Sequence, residues 1–380
     1  MDGDAVPIGK KITVISASVG AGHDGPAREI TRRLRRRGHL VACHDGLSIL
    51  PGRLGALLRD AYFAQLRLAP ASWGALLEAS TGRRADTLIQ AVLDRLVTRT
   101  HELLSEPVDA IVSTYPLVSQ LLGRLRDQGT LKVPVISYLT DAAVHPLWLH
   151  PGVDVTLCPH TCFAEQVSTS AHAREGSVTP CAPVVDGAFT RASAPGAARA
   201  VRAALGIRPN QTMALVTSGS AGTGNVCAAA RDLDACGATP VVACGRSTAL
   251  RRRVERLGVG PTLGWVDDMP HLVAAADVVV QNAGGLACWE ALAAGRPVLS
   301  YRVLSGHGRA NAAVLAAAGV VPWARTRREL GLALAGPPAP VQLPSRPDAA
   351  EIIERVALRT DHDAATLRPR GPAAMAVGAR

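Results

Sequence analysis

Three side chains that can take or hold a proton follow apolar runs in this chain of 380 residues: His23, Asp141 and His145. A histidine with a pKa near about 6.5 suits general-base chemistry at neutral pH, and a neighbouring carboxylate can orient its ring. Two of these residues also have a structural interpretation, with His23 capping a helix and Asp141 as an N-cap or turn residue. We predict that the three side chains form a cluster in which any one of them could take the proton.

A glycine-rich segment surrounds the first of these side chains. Residues Gly20–Gly25 fit the pattern GxGxxG, and Asp45 follows at the distance, about twenty residues, that is typical of dinucleotide-binding turns. The apolar run Ile12–Ala17 does not lead directly into Gly20, however, and the imidazole of His23 would enter the phosphate site. An NAD(P)-binding oxidoreductase therefore stays an alternative and is not the favoured interpretation.

Two further glycine-rich turns lie in the second half of the chain. Ser218–Gly222 follows one apolar run and opens a helix, and Asn282–Gly285 follows another run and does the same. Small residues let the backbone approach a diphosphate, and a helix N-terminus offers unpaired N–H groups with a favourable dipole. The two turns predict a nucleotide-diphosphate site at the carboxyl ends of one sheet. Glycines that only tighten strand–helix corners are the structural alternative.

Alternating strand and helix patterns must position these turns. Ten short apolar runs have strand character, and helical segments separate most of them. The predicted strands are Ile12–Ala17, Leu40–Cys43, Asp109–Ser113, Val133–Thr140, Val153–Cys158, Thr212–Thr217, Val241–Cys244, Thr262–Trp265, Val278–Gln281 and Val298–Tyr301. Two doubly wound halves in tandem predict an α/β fold of two facing Rossmann-like domains with a cleft between them.

Two interruptions rich in proline and glycine divide the pattern, at 182–196 and at Gly336–Pro340. We therefore predict an N-terminal domain over 1–185, a linker over 186–196 and a C-terminal domain over 197–335. Residues 336–380 are predicted to hold a Pro-rich linker, a last helix near Asp348–Leu358 and a tail whose composition is typical of disorder.

The composition is that of a basic globular protein, with 48% hydrophobic residues, 19% charged residues and a formal net charge of +10. This balance suits anionic partners such as nucleotide diphosphates or acidic lipid head groups. Nucleic-acid binding is disfavoured because the basic residues lack interleaved aromatics. The largest basic run, residues 28–37, is predicted to be the solvated face of one helix.

The eight cysteines are scattered without a CxxC pair, which favours reduced thiols in a cytosolic protein. The N-terminal segment lacks the apolar core of a signal peptide, and no run reaches the roughly 18 apolar residues of a membrane span. We expect a cytoplasmic protein that meets a membrane, if at all, peripherally at its inner face.

One region is crowded with potential zinc ligands, but their spacing is not that of a standard zinc site, so no metal is expected. These ligands are His145, His150, Cys158, His160 and Cys162.

The segment Asn282–Val298, NAGGLACWEALAAGRPV, resembles the C-terminal domain of the GT-B glycosyltransferases. It is similar to the group of peptidoglycan lipid II N-acetylglucosaminyltransferase and monogalactosyldiacylglycerol synthase, as are the segments 244–246, 264–269 and 310–312. Ser18–His23 looks like the glycine-rich loop of this group. Thr140–Trp148 looks like the pattern of the galactolipid synthases in particular. The likeness runs from Ile12 to Trp323.

The resemblance implies a different role for each domain. The N-terminal domain would bind the acceptor, and the C-terminal domain would bind a nucleotide-sugar donor. Glu290 would grip the ribose hydroxyls, and Trp265 or Val266 would lie beside the uracil. The implied donor-binding residues are Gly219, Ser220, Arg246, Trp265, Val266, Met269, Asn282, Gly284, Gly285, Glu290 and His307. The structural alternatives are a Glu290 that stabilises its helix dipole and a Trp265 that belongs to a core.

One segment departs from the pattern of this group. The group has a Pro-Gly-Gln-Glu-like stretch whose Gln touches the donor sugar, whereas this chain has Ser305-Gly306-His307-Gly308. The identity of the sugar is therefore open, and His307 is expected to recognise a sugar other than galactose or N-acetylglucosamine.

The acceptor side of the expected site lies in the N-terminal domain. The segment Ser48–Ser80 mixes apolar and aromatic residues with arginines, and the corresponding region of lipid-acceptor relatives helps engage the membrane. An ordinary amphipathic helix is the alternative. The expected acceptor-binding residues are Gly20, Gly22, Tyr62, Trp73 and Trp148. The acceptor would be a lipid of diacylglycerol or polyprenyl type, with peripheral contact to an anionic membrane, or a natural-product aglycone.

The resemblance implies an inverting, metal-independent glycosyltransferase that uses a UDP-sugar as substrate and needs no cofactor. The group inverts the anomeric carbon in one displacement, and this sequence has no DxD pair in a suitable turn. Helix N-termini and nearby basic groups would stabilise the departing diphosphate. The alternatives are a non-catalytic nucleotide-binding protein, a UDP-sugar epimerase and the oxidoreductase considered above.

Overall fold

The structure is a computed structural model that describes residues 9–50, 106–192, 195–336 and 338–359, together with 52–57, 59–61, 96, 99, 100 and 104. Two of the expected acceptor-binding residues, Tyr62 and Trp73, lie outside the described residues, as does most of the segment Ser48–Ser80. The tail from Thr360 lies outside them as well. Within the described residues, no helix has the length and apolar character needed to cross a membrane.

Six parallel strands form a sheet in the N-terminal half, in the order β2-β1-β3-β4-β5-β6. Its central strands are almost continuous buried runs of Val, Ile and Ala, as expected for parallel strands covered on both faces. The strands are β1 (Lys11–Ser16), β2 (Leu40–Asp45), β3 (Ala110–Ser113), β4 (Val135–Tyr138), β5 (Val155–Cys158) and β6 (Val178–Pro180). Helices α1 (Ala21–Arg36), α2 (Pro116–Asp127), α3 (Thr161–Ser168) and α4 (Ala188–Arg191) belong to this half, and residues 54–57 and 59–61 are helical as well.

A second sheet of six parallel strands follows, in the order β12-β11-β10-β7-β8-β9. Its strands are β7 (Met213–Thr217), β8 (Thr239–Ala243), β9 (Thr262–Leu263), β10 (Val278–Gln281), β11 (Val298–Tyr301) and β12 (Trp323–Ala324). Its helices are α5 (Pro195–Ala204), α6 (Val226–Ala235), α7 (Thr248–Glu255), α8 (Met269–Ala275), α9 (Leu286–Ala293), α10 (His307–Ala317) and α11 (Arg327–Ala335). The two sheets with their interleaved helices confirm the predicted α/β fold of two doubly wound domains.

All ten predicted strands are present, and two short edge strands were missed. The missed strands, β6 and β12, have three and two residues, which is too short for a pattern of buried positions to be recognisable.

The first glycine-rich segment is helical earlier than predicted. α1 begins at Ala21, directly after Gly20 with its φ of 147°, so that Pro26 lies inside the helix and not in its first turn. Proline lacks an N–H and cannot donate to the carbonyl of Gly22, but this costs the helix one hydrogen bond near its start. His23 is consequently a residue of the first turn of α1 and is held more rigidly than in a loop.

The second glycine-rich turn is longer than predicted. After β7 the chain turns through Gly219, Gly222 and Gly224 with φ values of 68°, 67° and 96°, which L side chains rarely adopt. α6 therefore begins only at Val226. A Cβ on Gly222 would lie 2.5 Å from the Cβ of Ser247, so this glycine is also needed for the close approach of the next turn.

The last helix, α12 (Ala349–Leu358), packs on the N-terminal domain although it follows the C-terminal one. Its apolar face, which includes Ile352 and Ile353, lies in the same buried cluster as Ile12 and Leu34. The chain thus crosses between the domains twice, once before α5 and once before α12.

Ion pairs hold α12 to α1 and correct one expectation. Arg33 pairs with Glu29 at 2.6 Å and with Asp348 at 2.7 Å, and Arg37 pairs with Glu354. The basic run that was predicted to be a solvated face is therefore in part the docking surface of α12. The sequence pattern could not show this, because the acidic partners lie more than 300 residues away.

Removal of the buried face of α12 is expected to destabilise the N-terminal domain. Ile353 is completely buried, so Ile353→Ala should reduce the free energy of unfolding by about 2–5 kcal/mol. Leu358→Ala is the matched control, since this leucine is 53% exposed and its loss should change stability by only about 0.5 kcal/mol. Urea unfolding followed by circular dichroism measures both. Equal unfolding midpoints for the two variants would contradict the packing of α12.

Candidate active site

His23 is fixed at one ring nitrogen and leaves the other for chemistry. Its Nδ1 lies 2.9 Å from the carbonyl oxygen of Thr114 and 3.1 Å from Oγ1 of Thr140. The ring is flanked by Tyr115 and Trp148, with centroids 5.2 Å and 6.0 Å away. Because a carbonyl oxygen only accepts, Nδ1 carries the proton of the neutral ring and donates it to Thr114. Nε2 therefore holds the lone pair and is the basic nitrogen.

The C-terminal domain brings a second histidine to this place. His307 begins α10 after Gly306, which has a φ of 71°. Burial is the main cause that lowers the pKa of His307, while nearby Asp141 acts in the opposite direction and nearby His23 in the same one. Within the described residues its Nδ1 is buried without a hydrogen-bond partner. His23, Asp141 and His307 thus form a cluster across the domain interface. Because its pKa is lowered, His307 is neutral at neutral pH.

His145 makes a backbone contact that was not predicted. Its Nδ1 accepts the backbone N–H of Leu147 at 3.2 Å and so caps the short 3-10 turn Pro146–Trp148. A nitrogen that accepts a backbone hydrogen bond is not available as a base. The structure shows His145 shaping the loop after Asp141 and shows His307 in electrostatic contact with Asp141.

Trp148 corrects an expectation about the acceptor site. It is only 1% exposed and lies in the core against the ring of His23. Such a side chain offers almost no surface to an acceptor, and its contact is with His23. The sequence did not show this, because a Trp that follows a polar loop is as compatible with an exposed position as with a buried one. Open space remains beside Gly20 and Gly22, where a Cβ would meet no heavy atom within 4 Å.

The two glycine-rich turns of the C-terminal domain are joined by side chains. Nδ2 of Asn282 donates to the carbonyl of Thr223 at 2.9 Å, and the N–H of Arg246 donates to the carbonyl of Ser220 at 2.9 Å. Gly219 lies in the same turn as Ser220. The expected donor-binding residues Gly219, Ser220, Arg246 and Asn282 are therefore neighbours in the fold.

Gln281 is a residue of this site that the sequence reasoning missed. Its Oε1 accepts the N–H groups of Ala283 and Gly284, and the side chain is buried at the end of β10. These two N–H groups are therefore occupied. The groups that remain for a phosphate are those of Gly285 and the first turn of α9, where no side chain caps the helix. A polar Gln at the end of an apolar strand was the available indication.

The expected base pocket is a surface feature and not part of a core. Trp265 is 46% exposed, its Nε1 donates to Asp267 at 2.9 Å, and the guanidinium of Arg246 lies 3.9 Å above its ring. The half-buried side chains of Val266 and Met269 pack against the main apolar cluster beside it. A flat aromatic ring fixed from one side by a cation is suited to stack a nucleobase on the other.

Glu290 lies in the second turn of α9, beyond the first turn in which a carboxylate stabilises a helix dipole. Burial raises the pKa of Glu290 to about 7, and nearby Asp186 acts in the same direction. No hydrogen bond or ion pair to this carboxylate is formed by the residues that the structure describes. A half-buried carboxylate of this kind is suited to accept hydrogen bonds from the hydroxyls of a ligand.

The last glycine of the GxGxxG segment and Asp45 both have structural roles in this fold. A Cβ on Gly25 would lie 2.3 Å from Cδ2 of Leu286, so the last glycine lets α1 pack against α9 of the other domain. Asp45, the candidate ribose ligand of a dinucleotide, instead accepts the backbone N–H groups of Ser18 at 3.1 Å and Leu47 at 3.0 Å. The spacing between the glycine-rich segment and Asp45 is therefore explained by the contact between the two domains and by the hydrogen bonds with which Asp45 caps a loop.

The potential zinc ligands are used within the fold. His150 and His160 accept the backbone N–H groups of Gly152 and Cys162 at 3.0 Å and 3.2 Å. Burial raises the pKa of Cys158 to about 12, so that it is a thiol at neutral pH. Within the described part of the chain, no group of three or more His, Cys, Asp or Glu side chains is arranged to hold a metal ion.

Comparison with known proteins finds related sequences and a shared fold. The family model of monogalactosyldiacylglycerol (MGDG) synthase matches residues 23–181. A processive diacylglycerol beta-glucosyltransferase of Bacillus pumilus is 24% identical over 217 residues, which are 54% of each chain. Monogalactosyldiacylglycerol synthase 1 of Arabidopsis thaliana is 26% identical over 255 residues, 60% of this chain and 45% of the relative. This chain thus spans about half the length of these curated relatives.

The same fold occurs in the crystal structure of Arabidopsis thaliana UGT89C1 complexed with UDP-L-rhamnose. The TM-score is 0.56 at 14% sequence identity, and the alignment covers 86% of this chain and 89% of that chain.

Proposed function

We propose that this chain, which is related to the monogalactosyldiacylglycerol synthases and shares the GT-B fold, is an inverting glycosyltransferase that moves a hexose-type sugar from a UDP-sugar to a lipid hydroxyl. The observation that carries the proposal is the cluster at the domain interface. His23 of the N-terminal domain presents a basic Nε2 in the neighbourhood of His307, in the domain that holds the glycine-rich turns and Glu290.

The C-terminal domain offers a separate contact for each part of a UDP-sugar. The ring of Trp265 would stack the uracil, and the carboxylate of Glu290 would accept the ribose hydroxyls. The diphosphate would bind Gly285 and the first turn of α9, where N–H groups and the helix dipole favour an anion. Support for the UDP group comes from the structural relative that is complexed with UDP-L-rhamnose.

The transfer needs one proton acceptor and one stabilised leaving group. Nε2 of His23 would take the proton of the acceptor hydroxyl. At the same time the oxygen of that hydroxyl would bond to the anomeric carbon from the side opposite the diphosphate. The bond from that carbon to the β-phosphate oxygen breaks at the same time, the configuration inverts, and UDP leaves with its charge stabilised by the N-terminus of α9. The neutral ring of His307 would contact the sugar, in the place where the group has a Gln.

A lipid acceptor is supported by the relatives and by the described surface. Both relatives are named for diacylglycerol substrates or products, and the matched family model covers the N-terminal half. Leu54 and Leu57 are exposed one helical turn apart, with Arg53 exposed beside them. Apolar side chains with a basic neighbour, on a chain of net charge +10, are suited to an anionic membrane surface. The protein would act peripherally at the inner face of the membrane.

A transfer assay tests the proposal with the full chain. UDP-glucose, UDP-galactose and UDP-N-acetylglucosamine, each radiolabelled in the sugar, are incubated with vesicles of phosphatidylglycerol that contain diacylglycerol. We expect one sugar to enter the lipid phase at low salt and less of it at high salt, since screening weakens surface electrostatics. The His23→Ala variant is the negative control.

Other outcomes would overturn the proposal. Conversion of a UDP-sugar without any acceptor would indicate an epimerase, and thermal stabilisation by NAD or NADP but not by UDP would indicate a dinucleotide site. Transfer only to soluble aglycones would refute the lipid acceptor and retain the transferase.

A further inference from the structure

Asn311 is a completely buried polar residue of α10 that bonds to both domains. Its Oδ1 accepts the N–H of Ala143 at 2.8 Å, in the loop that follows Asp141. Its Nδ2 donates to the carbonyl of Ala283 at 2.8 Å and to Oδ1 of Asp141 at 3.4 Å. One amide therefore contacts the loop of the N-terminal domain, the carboxylate in the interface cluster and the glycine-rich turn of the donor site.

The donor-site turn is closely fitted to this amide. A Cβ on Gly284 would lie 2.6 Å from the Cβ of Asn311, so the turn packs directly on the residue. Ala283 and Gly284 are also held by Gln281, and the chain continues through Gly285 into α9. A change in this turn on diphosphate binding would therefore move the acceptor of one Asn311 hydrogen bond.

The loop after Asp141 has a second support inside its own domain. Gln166 of α3 donates to the carbonyl of Ala142 at 2.8 Å and accepts the N–H of Val144 at 3.0 Å. The backbone of the loop is thus held without the C-terminal domain. What Asn311 adds is the bond to the Asp141 carboxylate and a link that exists only while the domains are together.

We infer that Asn311 is a positioning residue that couples occupation of the donor turn to the placement of Asp141 beside His307. The inference rests on the proposed function. With the donor bound, the carbonyl of Ala283 orients the Asn311 amide, whose Oδ1 then holds Ala143 and whose Nδ2 holds Asp141. When the domains separate, both cross-domain bonds are lost, and Asp141 is no longer held beside His307.

The experiment compares Asn311→Ala and Asn311→Asp in the full chain. Asn311→Ala should lower kcat about 10- to 100-fold, the loss expected for a hydrogen bond to a charged group, and change the Kd for UDP by less than about threefold. Asn311→Asp keeps the acceptor for Ala143, but its ionised carboxylate would face the Ala283 carbonyl and Asp141. His307, on the same helix and under the influence of Asp141, is a further titratable group near this position.

The pH profile separates positioning from packing. A carboxyl buried beside another carboxylate stays protonated to higher pH than usual, and the protonated form can donate to Asp141 as the amide does. The ratio of kcat for Asn311→Asp to that for Asn311→Ala should therefore rise about fivefold or more between pH 8 and pH 5.5. Any pH dependence that the two variants share cancels in this ratio. A constant ratio would overturn the inference.

Two controls keep the result decisive. Tyr138→Phe removes the buried hydrogen bond of 2.9 Å that the N–H of Val184 donates to the Tyr138 hydroxyl. An equal loss of kcat in this variant would reduce the Asn311 effect to stability and refute coupling. Small-angle scattering with and without UDP does not depend on transfer. UDP should compact the wild type and leave Asn311→Ala unchanged. If the wild type transfers no sugar, the proposed function fails, and the scattering result alone decides the coupling.

Discussion

Alanine in place of His23 is expected to lower kcat by about 100- to 10,000-fold, the usual range for loss of a general base. The physical reason is the hydrogen bond from Nδ1 to Thr114, which fixes the tautomer and leaves Nε2 as the proton acceptor. Initial rates at saturating donor and acceptor measure the loss. The KM for the donor should change little, because the expected donor contacts belong to the other domain.

His145→Ala is the matched control for this prediction. It removes a histidine whose Nδ1 is bonded to Leu147, so its loss of kcat should be well below that of His23→Ala. A larger loss in His145→Ala than in His23→Ala would reverse the assignment of the base. Activity of His23→Ala close to that of the wild type, with unchanged thermal unfolding, would remove His23 from the chemistry.

Glu290→Gln is expected to weaken UDP binding about 10- to 100-fold at pH 8, because an amide replaces a carboxylate that would accept ribose hydroxyls. Isothermal titration calorimetry with UDP measures the change. Since no described group compensates Glu290, the loss should come from the ligand contact and not from a broken network. An unchanged Kd would place the ribose elsewhere.

The pH dependence of binding gives a second measure of the same carboxylate. With the pKa of Glu290 raised to about 7, the binding-competent ionised form increases as the pH rises through 7. The wild-type Kd for UDP should therefore be about tenfold weaker at pH 6 than at pH 8. Glu290→Gln lacks this titration, so the difference between the two profiles excludes the contribution of the UDP phosphates. Parallel profiles would contradict the prediction.

The contribution of Glu290 to the folding stability should change with pH in the direction opposite to UDP binding, so it should decrease as the pH rises. A carboxyl whose pKa is raised in the folded state favours folding when it is protonated, so this contribution is present below its unfolded pKa and is lost as the pH rises towards 7. Glu290→Gln should therefore unfold at a higher temperature than the wild type at pH 8 and at a similar temperature at pH 4. A variant that is more stable but binds UDP more weakly is the result expected if Glu290 serves ligand binding and lowers the folding stability.

Much of the fold was determined by local sequence. The buried runs of Val, Ile and Ala in β1, β7 and β10 need no partner to be recognised, since strands covered on both faces are continuously apolar. Glycines and prolines separate them, and Asp348 caps α12 at the place where the pattern predicts a helix start. The strand–helix junctions near which His23, Asp141 and Glu290 lie follow from the same alternation.

The assembly of the site was decided by contacts between distant segments. His307 is brought close enough to Asp141 for the carboxylate to act on its pKa, because the interface places the start of α10 opposite that loop. Asn311 gains its role only where Ala143 and Ala283 meet.

The sequence by itself therefore determined the two domains, their strands and the turns that hold functional residues, because these depend on the apolar pattern and on backbone conformations within a few residues. Only the tertiary structure decided that α12 returns to the N-terminal domain, that Gly25 packs on Leu286 and that one amide joins the two halves of the site. These features depend on hydrogen bonds and packing between residues far apart in the chain, for which a single sequence contains no periodic pattern.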